Sequence, residues 1–320
     1  FLYFGLLVGG ISALISARPL DSIPAFTSFS AKLIGPAGAL QPSPFWPTVP
    51  LIIACGALSG FHSLVASGTS AKQLKEENDA LFVGYGAMLV EGFLATLVII
   101  SIASFGAAAL GDKLMATPAL GRFVNSFALM VSTNLPFLPM SFMTLFTAVW
   151  VSTFALTTLD TTNRLGRYIV QEMAEPLKEK NPSTYKILSN KWVASVVIAF
   201  LGIFLAWSGG YNTMWPAFSG ANQLLASVVM LTMAIWVKKK LNPKYVMSVL
   251  IPAAFLWITV TVALIWYEIV IVPVFFADAT KTMNIITGVI VGVINLLMLI
   301  LNFMMINSFL KNYKLKPETA

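Results

Sequence analysis

Long apolar runs separated by short polar stretches set the frame of this chain. A bilayer's hydrocarbon core, about 30 Å thick, takes roughly 20 mostly apolar helical residues to cross. Eight stretches reach or approach that length: Phe1–Ala17, Val49–Ala71, Leu81–Leu110, Phe137–Thr157, Lys191–Trp207, Met214–Val237, Val246–Val272 and Ile285–Leu310. The second is the least uniform, since Gly56, Ser59, Gly60, Ser63, Ser67, Gly68, Thr69 and Ser70 interrupt it. Thr158–Glu175 prolongs the fourth as a helix past the membrane, with Arg164 and Arg167 at the surface. Pro36, Pro42, Pro44, Pro47 and Pro50 shape a loop before the second span, and Leu120–Val131 reads as a short helix lying in the interface. The expected fold is therefore all-α: one polytopic membrane domain spanning residues 1–320.

Composition strengthens that reading. Of 320 residues, 58% are hydrophobic and 10% charged, against about a quarter charged in an ordinary soluble domain. The mean hydropathy of +0.82 describes more apolar surface than a soluble fold of this size can bury. The net charge of +7 does not point to nucleic acid, because the basic residues lie between the apolar runs. Arg18, Lys32, Lys113, Arg122 and Lys281 follow odd-numbered spans, and the other 15 of the 20 basic residues follow even-numbered ones. The positive-inside rule then puts the C-terminus in the cytoplasm and runs the first span from inside to outside. A single cysteine, Cys55, excludes a disulfide framework, and a single histidine, His62, excludes a His-rich metal centre. The chain opens at Phe1 inside an apolar run with no basic n-region or cleavage site, so it reads as lacking its beginning rather than as carrying a signal peptide. Trp46, Trp192, Trp215, Trp266 and Tyr267 stand at span ends as interfacial anchors.

Polar groups at membrane depth are costly, and four places carry them. In Gly56–Ser63, Ser59, Gly60, Phe61, His62 and Ser63 arrive about 16 Å along the second span, near the bilayer midplane. A helix broken there, over about residues 49–78, would present free backbone groups to a polar or anionic solute. Close packing through Gly56 and Gly60, with the serines bonded to their own turn, is the alternative. Glu91 lies at similar depth in the third span and is a candidate proton carrier, or else a neutral, hydrogen-bonded group. Ser152, Thr153, Thr157 and Thr158 return to one helical face, where hydroxyls can hold Na⁺ or simply bond to carbonyls one turn back. Asp160 pairs naturally with Arg164. Asn222 and Gln223 need either a neighbouring helix or a cavity. Glu268 and Asp278, near the outer interface, receive no role.

Four of these segments in order resemble the carbon starvation protein CstA family. They are Ile53–Thr69, Gly84–Phe93, Thr157–Tyr168 and Trp215–Leu225. The resemblance implies a prokaryotic inner-membrane carrier that takes up small nutrients, peptides or pyruvate, when preferred carbon is short. It also implies kinship with the amino acid–polyamine–organocation carriers and their LeuT-like fold of two inverted five-helix repeats. The eight spans then look like helices five to twelve of that fold. Val49–Ala71 is the broken sixth helix and Phe137–Thr157 the cation-coordinating eighth. Residues 1–237 carry core helices and 238–320 two peripheral ones. The first broken helix, half of the expected site, would come from the same or a companion chain.

The leading expectation is a secondary carrier working by alternating access and not an enzyme. Substrate would meet Ser59, Gly60, Phe61, His62, Ser63, Asn222 and Gln223, and the coupling ion would be H⁺ at Glu91 or Na⁺ at the hydroxyl face. No cofactor is expected beyond that ion, and the partners are the small-molecule substrate and the lipid bilayer. Two alternatives remain at this stage. One is an intramembrane serine hydrolase, because Ser59 and His62 lie three residues apart; the other is a nutrient sensor that binds without transporting.

Overall fold

The computed structural model describes residues 2–16, 30–34, 40–114, 116–207, 210–277 and 282–314. Asp278, Pro36 and the outer ends of the first expected span, Phe1 and Ala17, lie outside them. The described chain is helical apart from one two-stranded ribbon. In order it comprises α1 (Leu2–Ile15), β1 (Ser30–Ile34), β2 (Leu40–Pro44), α2 (Phe45–Ala57), α3 (Gly60–Val65), α4 (Ala87–Leu110), α5 (Ala119–Asn134) and α6 (Met140–Ala174). There follow α7 (Leu177–Lys180), α8 (Pro182–Leu188), α9 (Lys191–Trp207), α10 (Gly210–Lys240), α11 (Val246–Trp266), α12 (Val272–Phe276) and α13 (Thr282–Lys314).

Five helical stretches among the described residues are long and apolar enough to cross a membrane: Leu81–Lys113, Met140–Ala174, Phe218–Lys240, Pro243–Phe276 and Ile285–Lys314. A sixth qualifies if α8 and α9, bent by 67° at a short break, count as one. The helix at the first expected span, α1, is 14 residues and falls short of that length. The second expected span is two pieces, α2 and α3, divided at Leu58–Ser59. The fourth is one unbroken helix of 35 residues, so Thr158–Glu175 does continue it to Ala174. The proline-rich loop holds a feature its sequence did not announce: β1 and β2 pair antiparallel from Ser30 opposite Pro44 to Ile34 opposite Leu40. A two-stranded ribbon tolerates Pro42 and Pro44 because each strand has a free edge.

The chain forms two compact units. One joins residues 1–27 with 73–195. Its core is the aromatic stack of Phe123, Phe127, Phe146 and Trp150 with Val8, Met130 and Met143. Helix α1 lays glycines on that stack: a Cβ at Gly5 would stand 2.9 Å from the Trp150 ring, and one at Gly9 2.6 Å from Phe127. Ser12 Oγ donates to the Met130 carbonyl at 2.9 Å, and Asn134 Nδ2 donates back to Ser12 Oγ at 3.0 Å, so this close approach carries its own polar clasp.

The other unit joins residues 28–72 with 196–320. Leu224, Leu256, Val260, Leu264, Val272, Phe275 and Val291 fill its centre. Amides cross-link this centre. Asn302 Nδ2 donates to Thr261 Oγ1 at 2.7 Å while its Oδ1 accepts from Trp257 Nε1 at 2.6 Å. Two turns away on the same helix, Asn295 Nδ2 donates to the Leu264 carbonyl and to Glu268 Oε2, at 3.0 and 2.7 Å. Glu268 sits in a π-turn, Tyr267–Ile271, that joins α11 to α12 and turns its carboxylate towards α13. Trp46, expected as an interfacial anchor, hooks α2 to α11 instead: its Nε1 donates to Thr259 Oγ1 at 3.2 Å.

Candidate functional site

The break between α2 and α3 is built from the sequence's own punctuation. Ser59 takes an extended backbone, φ −123° and ψ 127°, which no helix can continue. Its hydroxyl then caps the helix that restarts, accepting from the His62 backbone N–H at 3.4 Å. Ser63 Oγ donates to the Gly60 carbonyl at 2.6 Å and Ser67 Oγ to the Ser63 carbonyl at 3.0 Å. Beyond Val65 the helix widens into a π-turn, Ala66–Ser70, and tightens through Ala71–Gln73 before it stops.

Helix α10 holds the break in place. Asn222 Oδ1 accepts from the Phe61 N–H at 2.8 Å and from Ser59 Oγ at 3.1 Å. One amide oxygen thus serves two donors that the interrupted helix leaves free. Gly60 makes the approach possible. A Cβ there would meet the Asn222 carbonyl oxygen, Leu225 Cβ at 2.6 Å and Ala226 N at 2.8 Å. Gly56, four residues earlier, has no atom within 4 Å of the same position. The two glycines are therefore not a packing pair: Gly60 alone carries the close contact.

Four of the seven residues expected to meet substrate form this cluster: Ser59, Gly60, Phe61 and Asn222. Ser63 is bonded within its own helix. His62 is exposed, its ring 5.8 Å from that of Phe61. The interruption falls at Leu58–Ser59, ahead of His62, which itself lies inside α3. Gln223 is fully buried, and neither Nε2 nor Oε1 has a partner among the described residues.

Glu91 and the hydroxyl row belong to the other unit. Glu91 is exposed on α4. Ser152, Thr153, Thr157 and Thr158 are all exposed on α6. Ser152 Oγ, Thr153 Oγ1 and Thr157 Oγ1 donate to the carbonyls of Ala148, Val149 and Phe154 at 2.8, 2.8 and 2.7 Å. Donation uses only the hydroxyl proton, so each oxygen keeps lone pairs outward for a cation. Asp160 pairs with Arg164 at 3.1 Å, as the i, i+4 spacing implied. Among the described residues no three His, Cys, Asp or Glu side chains gather in a form that could hold a metal ion.

Sequence reasoning passed over Asn295, Asn302 and Glu268. The signal was present in the spacing: two amides seven residues apart in the otherwise apolar run of α13 share one face.

A family model described as carbon starvation protein CstA matches residues 1–134 and 109–264. Among curated proteins, a peptide transporter CstA of Bacillus subtilis (strain 168) is 28% identical, over 98% of this chain and 55% of its own length. A peptide transporter CstA of Escherichia coli (strain K12) is 26% identical, over 81% of this chain and 44% of its own. The pyruvate/proton symporter BtsT of the same organism is 25% identical, over 82% and 46%. The chain thus spans about half the length of the curated relatives it matches. No solved structure matches it.

Proposed function

Because the chain belongs to the carbon starvation protein CstA family, we propose that it is part of a secondary carrier that takes up small carboxylates, peptides or pyruvate, by alternating access. The observation that supports this most is the helix interrupted at Leu58–Ser59 and tied to α10 through Asn222. A half-helix start carries the positive end of a dipole, which favours an anionic group, and the Asn222 and Ser59 oxygens hold its Phe61 and His62 N–H groups until a solute carboxylate takes their place. A peptide C-terminus and pyruvate share that group, which accounts for both names among the relatives. Ser59, Gly60, Phe61, His62, Ser63, Asn222 and Gln223 form the substrate side in this reading. Glu91 carries the coupling proton, or Ser152, Thr153, Thr157 and Thr158 the coupling Na⁺. In this reading the chain supplies helices five to twelve of a LeuT-like fold in an inner membrane, with residues 1–237 in the core and the C-terminus cytoplasmic.

The hydrolase reading loses its basis in the contact it needs. Ser59 Oγ meets the His62 backbone nitrogen, whereas a nucleophile needs the imidazole within hydrogen-bond reach as its base.

The test is uptake of labelled pyruvate and a labelled dipeptide by the full-length protein in proteoliposomes, with a proton gradient, a sodium gradient or neither. Accumulation driven by one gradient is the expected result. Binding without gradient-driven accumulation of either solute would favour a sensor and refute the carrier.

A further inference from the structure

Helices α10 and α13 run together to one lysine-rich end, where Lys238, Lys239 and Lys240 close one helix and Lys311 and Lys314 the other. A groove of about 340 Å³ opens between them there. Val228, Leu231, Ile235, Met305 and Phe309 make its walls, and Lys239, Ser308 and Asn312 stand at its mouth. The lysines at this mouth are not equivalent. Lys238 is committed: its Nζ donates to the Tyr313 carbonyl at 2.6 Å and lies 3.7 Å from the centre of the Tyr313 ring. The Asn312 amide is likewise spent on Ser308, at 3.0 Å to the carbonyl. Lys239 is half-buried against the groove, and no hydrogen bond or ion pair among the described residues engages its ammonium.

We propose that this groove holds an acyl chain of an anionic phospholipid, with the headgroup phosphate on Lys239. The dimensions fit. From Val228 to Lys239 is 11 residues of helix, about 16 Å, and one leaflet of a hydrocarbon core about 30 Å thick is about 15 Å deep. An acyl chain reaches the apolar floor while its phosphate stays level with the ammonium. The walls take the chain by area burial. The charge at the mouth selects the headgroup, as basic pockets between membrane helices do. Free phosphate would answer the charge but leave the apolar walls bare. This site is independent of the carrier reading and stands or falls apart from it.

Full-length protein purified in mild detergent is exchanged into micelles doped with equal parts phosphatidylglycerol and phosphatidylcholine, and retained lipid is counted by native mass spectrometry. A headgroup on one surface lysine favours the anionic lipid by about fivefold. Lys239→Gln brings that ratio to near one, Lys240→Gln leaves it in place, and Ile235→Trp, which fills the groove, lowers retention of both lipids. Excess inorganic phosphate leaves the retained lipid in place. Equal loss in Lys239→Gln and Lys240→Gln would reveal a diffuse surface charge and overturn the site. Displacement by inorganic phosphate would reveal a plain anion site, and no retained lipid at all would mean that another segment fills the groove; either result overturns the proposal.

Discussion

Two glycines four residues apart should respond to alanine with opposite signs. At Gly60 the added methyl meets the Asn222 carbonyl oxygen, Leu225 Cβ at 2.6 Å and Ala226 N at 2.8 Å, where ordinary contact begins at 3.4 Å. Two of these three atoms are backbone, so no rotamer change relieves the overlap, and α3 has to back away from α10. The Phe61 N–H and Ser59 hydroxyl bonds to Asn222, 2.8 and 3.1 Å long, stretch with it. Overpacking of this kind costs about 1–3 kcal/mol. Each weakened hydrogen bond adds about 0.5–1.5 kcal/mol. Gly60→Ala is thus expected to destabilise by about 2–6 kcal/mol when the overlap and both bonds are counted. Gly56 sits inside α2 with no atom within 4 Å, so Gly56→Ala relieves backbone entropy and stabilises by about 0.5–1 kcal/mol. Thermal unfolding of the two full-length variants in one detergent, beside the wild type, separates them. Equal unfolding temperatures for Gly60→Ala and the wild type would refute the close contact of α3 with α10. A drop for Gly56→Ala as large as for Gly60→Ala would restore a shared packing motif.

Substitutions at Asn222 and Asn302 test the polar links of the same unit. Asn222→Leu strands both donors and should cost about 1–3 kcal/mol per stranded group, read in the same unfolding assay. Asn302→Leu strands the indole N–H of Trp257 and should lower the unfolding temperature, while the added Trp257→Phe removes that donor and recovers part of the loss, a coupling a double-mutant cycle measures directly.

Five of the eight expected spans were legible because a helix crosses hydrocarbon only behind an apolar surface, so composition alone marks Leu81–Leu110 or Met214–Val237. The interruption of the second span was legible for a related reason. Gly56, Ser59, Gly60 and Ser63 are poor at holding a helix together and good at capping a new one. Its position was legible only to within a few residues: the expected break lay within Gly56–Ser63, and the chain turns at Leu58–Ser59, where the capping serine stands. Which polar groups meet between helices was not legible, although the Asp160–Arg164 pair within one helix was. Ser59 and Asn222 are 163 residues apart in sequence, and nothing local to either names the other. Gly56 and Gly60 read alike in one dimension, and only the placement of α10 distinguishes them. The ribbon of β1 and β2 hid behind prolines that argue against strands, because a two-stranded ribbon imposes no central position.

Asn222 and Gln223 are adjacent amides in one helix, yet they cannot do the same work. Asn222 is engaged by Ser59 and Phe61, whereas Gln223 is buried to 0% exposure with Nε2 and Oε1 both unpartnered among the described residues. Burying unpaired polar atoms costs about 1–3 kcal/mol each, so a glutamine kept there for stability alone is a poor choice. Leucine has a similar volume and no such penalty. If Gln223 exists to hold another helix, Gln223→Leu must destabilise the full-length protein; if its amide is kept for a solute, the change is neutral or stabilising while uptake falls. The second outcome is expected: unfolding at or above the wild-type temperature, with pyruvate or dipeptide accumulation in proteoliposomes reduced at least tenfold, the rate equivalent of about 1.4 kcal/mol. Lower stability with uptake reduced only in proportion to folded protein would assign Gln223 to the scaffold. The substrate side would then rest on the residues at the helix break alone.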